Sequence, residues 1–283
     1  MGVGQGLIDK AWGVMLKSKG EKNNKEVLLM ARTAVITGAS SGIGREIARI
    51  LYAKGFRCIL CARREDRLKE LAQELGENTR VVICDLSRRE ECFSLYEQVK
   101  DENVGVLING AGFGLFGKFT HSELGRELEM IDTNITAVHI LTKLFVKDFA
   151  QKDRGYIMNI ASSAGLMSGG PYMSTYYASK AYVADLTSAV ARELEEAGSK
   201  VKVCALCPGP VDTEFNDVAG TKFGVKAISA EQCARDAVKG MFGGKTIIVP
   251  SATLKLAAAG AHLVPRKLLV AMTGRIQSQK GDV

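Results

Sequence analysis

The sequence predicts an α/β protein built on one parallel, doubly wound sheet of about seven strands, and three observations carry that prediction. Seven short apolar runs recur between residues 33 and 249, each reading as a strand buried on both faces. Between them lie segments whose apolar residues recur at helical spacing. The first run ends in a glycine-rich turn that opens the first helix.

Taken in order, residues 1–30 stand apart as an N-terminal arm. Leu7, Ile8, Ala11, Trp12, Met15 and Leu16 recur at helical spacing ahead of a basic stretch at 17–25. This predicts an amphipathic helix that can pack on its own domain, on a neighbouring subunit or on a membrane surface. Met30 is a further candidate translation start, which would make the arm optional. Residues 31–250 are expected to form a single strand-and-helix domain. Ala34-Val35-Ile36 is its first strand, and Ile43, Ile47, Ile50 and Leu51 mark its first helix. Strands follow at 57–62, 80–84, 104–108, 155–161, 201–206 and 246–249. Helices are expected at 65–75, 88–99, across 123–149, from Tyr176 onward, and at 230–241. Residues 251–283 are a helical tail, broken at Pro265, whose apolar character suits docking over the sheet end, a subunit contact or a membrane surface.

Composition bounds the function. The chain has 283 residues, enough for one or two domains with a sizeable core. Basic residues exceed acidic ones by seven but are interspersed with them, as in Arg63-Arg64-Glu65-Asp66-Arg67. A nucleic-acid binder would carry a basic stripe, so that class is set aside. The pairs Cys58/Cys61 and Cys204/Cys207 have metal-ligand spacing but fall in strand-like runs. Residues three apart on a strand point to opposite faces, so buried free thiols are expected and no metal site. The odd cysteine count and the lack of a secretory leader favour a reducing, cytoplasmic setting. No apolar run approaches 18 residues, so no membrane span is expected.

The turn Gly38-Ala39-Ser40-Ser41-Gly42-Ile43-Gly44 stands where backbone N–H groups at a helix N-terminus hold a pyrophosphate, with Ser40 and Ser41 able to bond its oxygens. The end of the second strand selects the dinucleotide. An NAD site needs a carboxylate there for the ribose 2′-hydroxyl, whereas this chain has Arg63 and Arg64, suited to a 2′-phosphate. NADP(H) is therefore expected ahead of NAD(H). Asp85 and Leu86, after the third strand, are placed to meet the adenine; Asn109, Gly110 and Ala111, after the fourth, allow close approach of backbone.

Tyr176 and Lys180 are four apart at the start of a long helix and so share a face. A fixed cation beside a phenol lowers its pKa towards the working pH, as acid-base catalysis requires. Ser162 follows the fifth strand, and Pro208-Gly209-Pro210-Val211-Asp212-Thr213 follows the sixth.

At this point the chain resembles the short-chain dehydrogenase/reductase family over roughly residues 32–250. Five motifs in order carry the resemblance: T-G-x-x-x-G-x-G, N-x-A-G, a helical Asn134, S-x-x-G followed by Y-x-x-x-K, and P-G-P-V-x-T. It implies a Rossmann-type fold and four catalytic residues. Tyr176 would be the acid-base, Lys180 would lower its pKa and bond the nicotinamide ribose, Ser162 would polarise the substrate carbonyl, and Asn134 would hold a proton-relaying water. Pro208, Gly209, Val211 and Thr213 would border the nicotinamide. Ser163 remains an alternative to Ser162, and Tyr177 a weaker rival to Tyr176. The resemblance also implies a homodimer or homotetramer.

Phe113, Leu115, Phe116, Leu166, Met167, Tyr172, Met173, Phe215 and Phe223 fall in segments expected to border the substrate, with few fixed charges. An apolar pocket suits a hydrophobic ketone or alcohol, and hydroxysteroid dehydrogenases are the nearest analogy. Lys222 or Lys226 would instead favour an acidic substrate. The alternatives are a 3-oxoacyl-thioester or small-carbonyl reductase, and a non-catalytic NADP-binding or membrane-surface protein.

Overall fold

The computed structural model describes residues 33–220, 227–261 and 263–279. The arm expected over 1–30, and Lys222, Phe223 and Lys226, lie outside them.

Seven strands form one sheet in the order β3-β2-β1-β4-β5-β6-β9: β1 (Thr33–Thr37), β2 (Arg57–Ala62), β3 (Thr79–Ile83), β4 (Val104–Asn109), β5 (Tyr156–Ile160), β6 (Lys202–Leu206) and β9 (Ile247–Ile248). Every pairing is parallel, with β1 registering Thr33 to Thr37 on Arg57 to Cys61 of β2. The order reverses between β1 and β4, so the carboxyl ends of these neighbours splay apart into a crevice.

Both faces are covered, as the unbroken apolar runs require. Ala34, Ile36, Cys58, Leu60, Val106 and Ile108 pack in one layer with α1 (Gly42–Ala53), α2 (Glu65–Leu75) and α8 (Ala230–Phe242). Val35, Ile59, Cys61 and Leu107 face the opposite layer. That layer is built by α3 (Arg89–Val99), α5 (Ala137–Gln151) and the end of α6 (Ser174–Glu196). Cys58 and Cys61 thus lie on opposite faces of β2, as the two-residue period of a strand dictates.

Two features depart from the expected elements. The helices expected across 123–149 are α4 (Leu124–Ile131) and α5, and they run into one another through a π-helical turn, Asp132–Thr136, that the spacing does not predict. A pair of two-residue strands, β7 (Val211–Asp212) and β8 (Ile228–Ser229), brackets the short α7 (Phe215–Ala219). The tail forms α9 (Ala252–Ala261) and α10 (Arg266–Gln277), with Pro265 capping the latter. Helix α10 buries the stripe Leu269, Thr273 and Gln277 and leaves Leu268, Met272 and Ile276 exposed. Among the described residues no helix is long and apolar enough to cross a membrane.

Candidate active site

A cavity of about 430 Å³ opens at the carboxyl ends of β1, β4, β5 and β6. At one end its wall is the glycine turn. Gly38 has φ +68°, and a Cβ there would stand 2.5 Å from the Gly110 carbonyl oxygen. Only glycine lets the β1 and β4 loops approach so closely. Ser40, Ser41, Arg63, Arg64, Asp85, Leu86, Gly110 and Ala111 all line this end, as expected.

Both arginines already hold carboxylates. Arg63 donates to Glu129 Oε1 at 2.9 Å. Arg64 donates to Glu214 Oε2 at 2.8 Å, and to the hydroxyls of Ser41 at 2.8 Å and Ser40 at 3.2 Å. The Arg64 guanidinium holds the Glu214 carboxyl below the usual carboxylate range. Because Arg64 also joins both serines, a strongly donating patch faces the turn. A ligand phosphate there would meet guanidinium and hydroxyl donors together.

The middle of the cavity holds the reactive side chains. The first turns of α6 bring Tyr176 and Lys180 onto one face. A Cβ at Gly165 would meet the Lys180 carbonyl oxygen at 2.3 Å, so the 3₁₀ turn Ser163–Leu166 packs directly on the helix backbone. The Ser162 hydroxyl accepts from the Ala164 N–H at 3.1 Å and lies close enough to the Tyr176 hydroxyl to bear on its pKa. Both serines line the cavity, and Ser162 is the one whose hydroxyl bears on the tyrosine. Tyr177 instead bonds to Gln277.

The expected depression of the Tyr176 pKa is reversed in the free protein. Burial pushes the phenol up to about 12, opposed by the neighbouring Ser162 hydroxyl. Lys180 Nζ lies 5.8 Å from the Tyr176 ring centroid and donates to the Ile160 carbonyl at 2.8 Å. Burial also lowers the ammonium itself, to about 8. The two groups share a cleft, and desolvation is the largest influence on each.

Two expected site residues stand behind the wall. Asn134, fully buried in the π turn, donates to the Phe113 carbonyl at 2.9 Å and to Ser179 Oγ at 3.1 Å, and accepts from the Phe113 N–H at 3.1 Å. Its side chain fixes the loop that passes over Lys180. Asn109 does not line the cavity: its amide donates to Asn159 Oδ1 at 2.8 Å and to Thr142 Oγ1 at 3.1 Å, tying β4 to β5 and α5. The close backbone approach expected along 109–111 falls at Gly110 and Ala111, which line the cavity, while the Asn109 side chain is turned inward between β4 and β5.

Pro208, Gly209, Val211 and Thr213 line the far wall, joined by Glu214, Phe215 and Val218. Phe113, Met173 and Phe215 make it apolar, with Leu115, Phe116 and Met167 packed behind them. Leu166 belongs to a different cluster, against Val183 and Ala184. Sequence reasoning missed Glu214, which adjoins Thr213, and Gln277, which no motif marks.

Comparison with known proteins agrees with this geometry. Residues 32–222 match the family model of the short chain dehydrogenases. The chain is 34% identical over 200 residues to a 3-oxoacyl-acyl-carrier-protein reductase, FabG, of Rickettsia prowazekii (strain Madrid E), covering 69% of this chain and 78% of that protein. It superposes with TM-score 0.74 and 29% identity on a short-chain dehydrogenase from Sphingobium yanoikuyae in complex with NADPH, covering 82% of this chain and 94% of the other. A bulky-bulky ketone specific alcohol dehydrogenase from Comamonas testosteroni gives TM-score 0.69 and 27% identity, over 83% and 95% of the two chains.

Proposed function

The chain belongs to the short-chain dehydrogenase family, and from that premise we propose that it is an NADP(H)-dependent reductase of bulky hydrophobic ketones, a hydroxysteroid-type substrate among them. The observation that carries the reading is the single cavity in which Ser162, Tyr176 and Lys180 converge beneath apolar walls of Phe113, Met173 and Phe215. The glycine turn, the Ser40–Ser41–Arg64 patch and Arg63 fit a dinucleotide carrying a 2′-phosphate. When bound, that cofactor supplies or accepts the hydride at the substrate carbon. Ser162 and Tyr176 donate to the carbonyl oxygen as negative charge grows on it, and Tyr176 delivers the proton. Lys180 supplies positive charge to the resulting phenolate. Asn134 acts as a positioning residue through the Phe113 loop, and its capacity to hold a relaying water is part of the proposal. Reversed, the same groups oxidise a secondary alcohol.

A second reading, reduction of 3-oxoacyl thioesters, is favoured by the likeness to the Rickettsia reductase. We propose further that the protein is cytoplasmic and forms homodimers or homotetramers through α4–α6, where Leu124, Leu128 and Tyr182 are exposed. Contact with a membrane surface through the arm or tail is proposed on the exposed Leu268, Met272 and Ile276.

Titration of nicotinamide fluorescence with NADPH and NADH tests the cofactor assignment. NADPH is expected to bind more tightly, and Arg63→Ala to weaken NADPH by about tenfold while leaving NADH unaltered, in line with one lost charge-assisted hydrogen bond. Equal affinities, unchanged in the variant, would refute NADP selectivity. A panel of steroid ketones, small aldehydes and 3-oxoacyl thioesters then separates the two substrate classes; turnover confined to thioesters would overturn the first reading.

A further inference from the structure

Among the described residues of the tail, one reaches the active-site cavity. Gln277, the last residue of α10, is 3% exposed, lines the cavity, and donates through Nε2 to the hydroxyl of Tyr177. Its Oε1 is buried without a hydrogen-bond partner. The rest of the buried α10 stripe is self-sufficient: Leu269 is apolar, and the Thr273 hydroxyl donates to the Leu269 carbonyl at 2.9 Å. Gln277 alone carries an unmet polar atom.

Tyr177 is equally constrained. It is 9% exposed, and its ring lies against the Gly170 backbone, where a Cβ would come within 2.4 Å. Its centroid is 6.4 Å from that of Tyr176, edge to face. The Tyr177–Gln277 pair thus sits beside the reactive phenol, in the cavity that Met173 and Phe215 also line. A contact that served only to staple the tail would be better made by leucine, because burying an unsatisfied oxygen is destabilising. Buried polar pairs that point into an apolar pocket fix the orientation of a ligand.

We propose that Gln277 and Tyr177 form a polar subsite of the substrate cavity that recognises a hydroxyl or secondary amide of the substrate, a short distance from the reacting carbonyl. The proposal deepens the reductase reading and rests on it. Such groups both donate and accept, so they serve whichever amide atom of Gln277 faces them. Two sources carry this chemistry: a ketone bearing a second hydroxyl, and a 3-oxoacyl thioester whose thiol arm contains an amide.

The test compares kcat/KM within two matched pairs. One pair is androstanone and the same ketone with a distal hydroxyl; the other is the ethyl and N-acetylcysteamine thioesters of acetoacetate. The full-length protein is expected to prefer the polar member of at least one pair by about tenfold, one hydrogen bond's worth of discrimination. The pair that shows the preference identifies the source. Gln277→Leu and Tyr177→Phe are each expected to bring that ratio to about one. A staple that merely positions the tail would lower both members equally and leave the ratio intact. An unchanged ratio in both variants, or no preference in the unaltered protein, would overturn the subsite. If no probe is turned over, the reductase reading fails instead. The subsite is then judged by calorimetric binding of the same pairs: a Gln277-dependent difference sustains it and its absence overturns it.

Discussion

At Lys180 burial lowers the ammonium to about 8, while at Tyr176 it raises the phenol to about 12. A folded pKa below the unfolded one means that folding of Lys180 expels a proton between those values, so its burial costs stability at neutral pH. That cost is relieved as pH rises from about 8 towards the ordinary lysine value near 10.4. The same titration governs the chemistry. Carbonyl reduction needs the cationic lysine, so kcat/KM is expected to be level below pH 8 and to fall about tenfold per pH unit above it. A pH-rate profile on a slow substrate checks this, and a level profile to pH 9.5 would contradict it. Ser162, Tyr176 and Lys180 were legible in the sequence because their order and spacing are local. The sign of the tyrosine shift was not, because it depends on how much protein surrounds the pair.

The π turn Asp132–Thr136 belongs to the scale of the element. It joins α4 to α5 within the helical stretch expected across 123–149, and it left no mark on the apolar periodicity because a single-turn widening barely disturbs that period. Its effect is to bury Asn134 against both backbone groups of Phe113. Asn134→Ala would leave that N–H and carbonyl unpaired inside the protein. The expected loss is about 1–3 kcal/mol of stability, measurable by urea unfolding, together with a drop in kcat as the Gly112–Phe113 loop shifts over Lys180. Unchanged stability would show that the loop finds other partners. Strands β7 and β8 escaped the sequence for a simpler reason: two residues each carry no periodicity to detect. Asn109 shows the limit of position alone: it ends β4 beside the cavity-lining Gly110, while its side chain bonds to Asn159 behind the wall.

Across the whole molecule, the doubly wound sheet was readable because strands buried on both faces must be apolar at every position. The role of the tail was not, since Gln277 meets Tyr177 across 100 residues of sequence. The two-sided core has its own pH signature. All seven cysteines are free and buried, and burial pushes Cys58, Cys92, Cys204, Cys207 and Cys233 up to about 12. Groups whose folded pKa is raised stabilise fully below the unfolded thiol value, near 8.5, and that contribution is lost as pH climbs through about 12. Tm is therefore expected to hold between about pH 7 and 8 and to fall steeply between about pH 9 and 11. A Tm that stays level to pH 11 would contradict the buried-thiol account. The central claim, that this cavity reduces carbonyls with Tyr176 as proton donor, is tested most directly by following NADPH absorbance during turnover of a ketone by the unaltered protein and by Tyr176→Phe. The account predicts steady NADPH consumption by the former and a loss of about 10²–10⁴-fold in kcat in the variant, with NADPH affinity retained. Equal rates in the two proteins would contradict it.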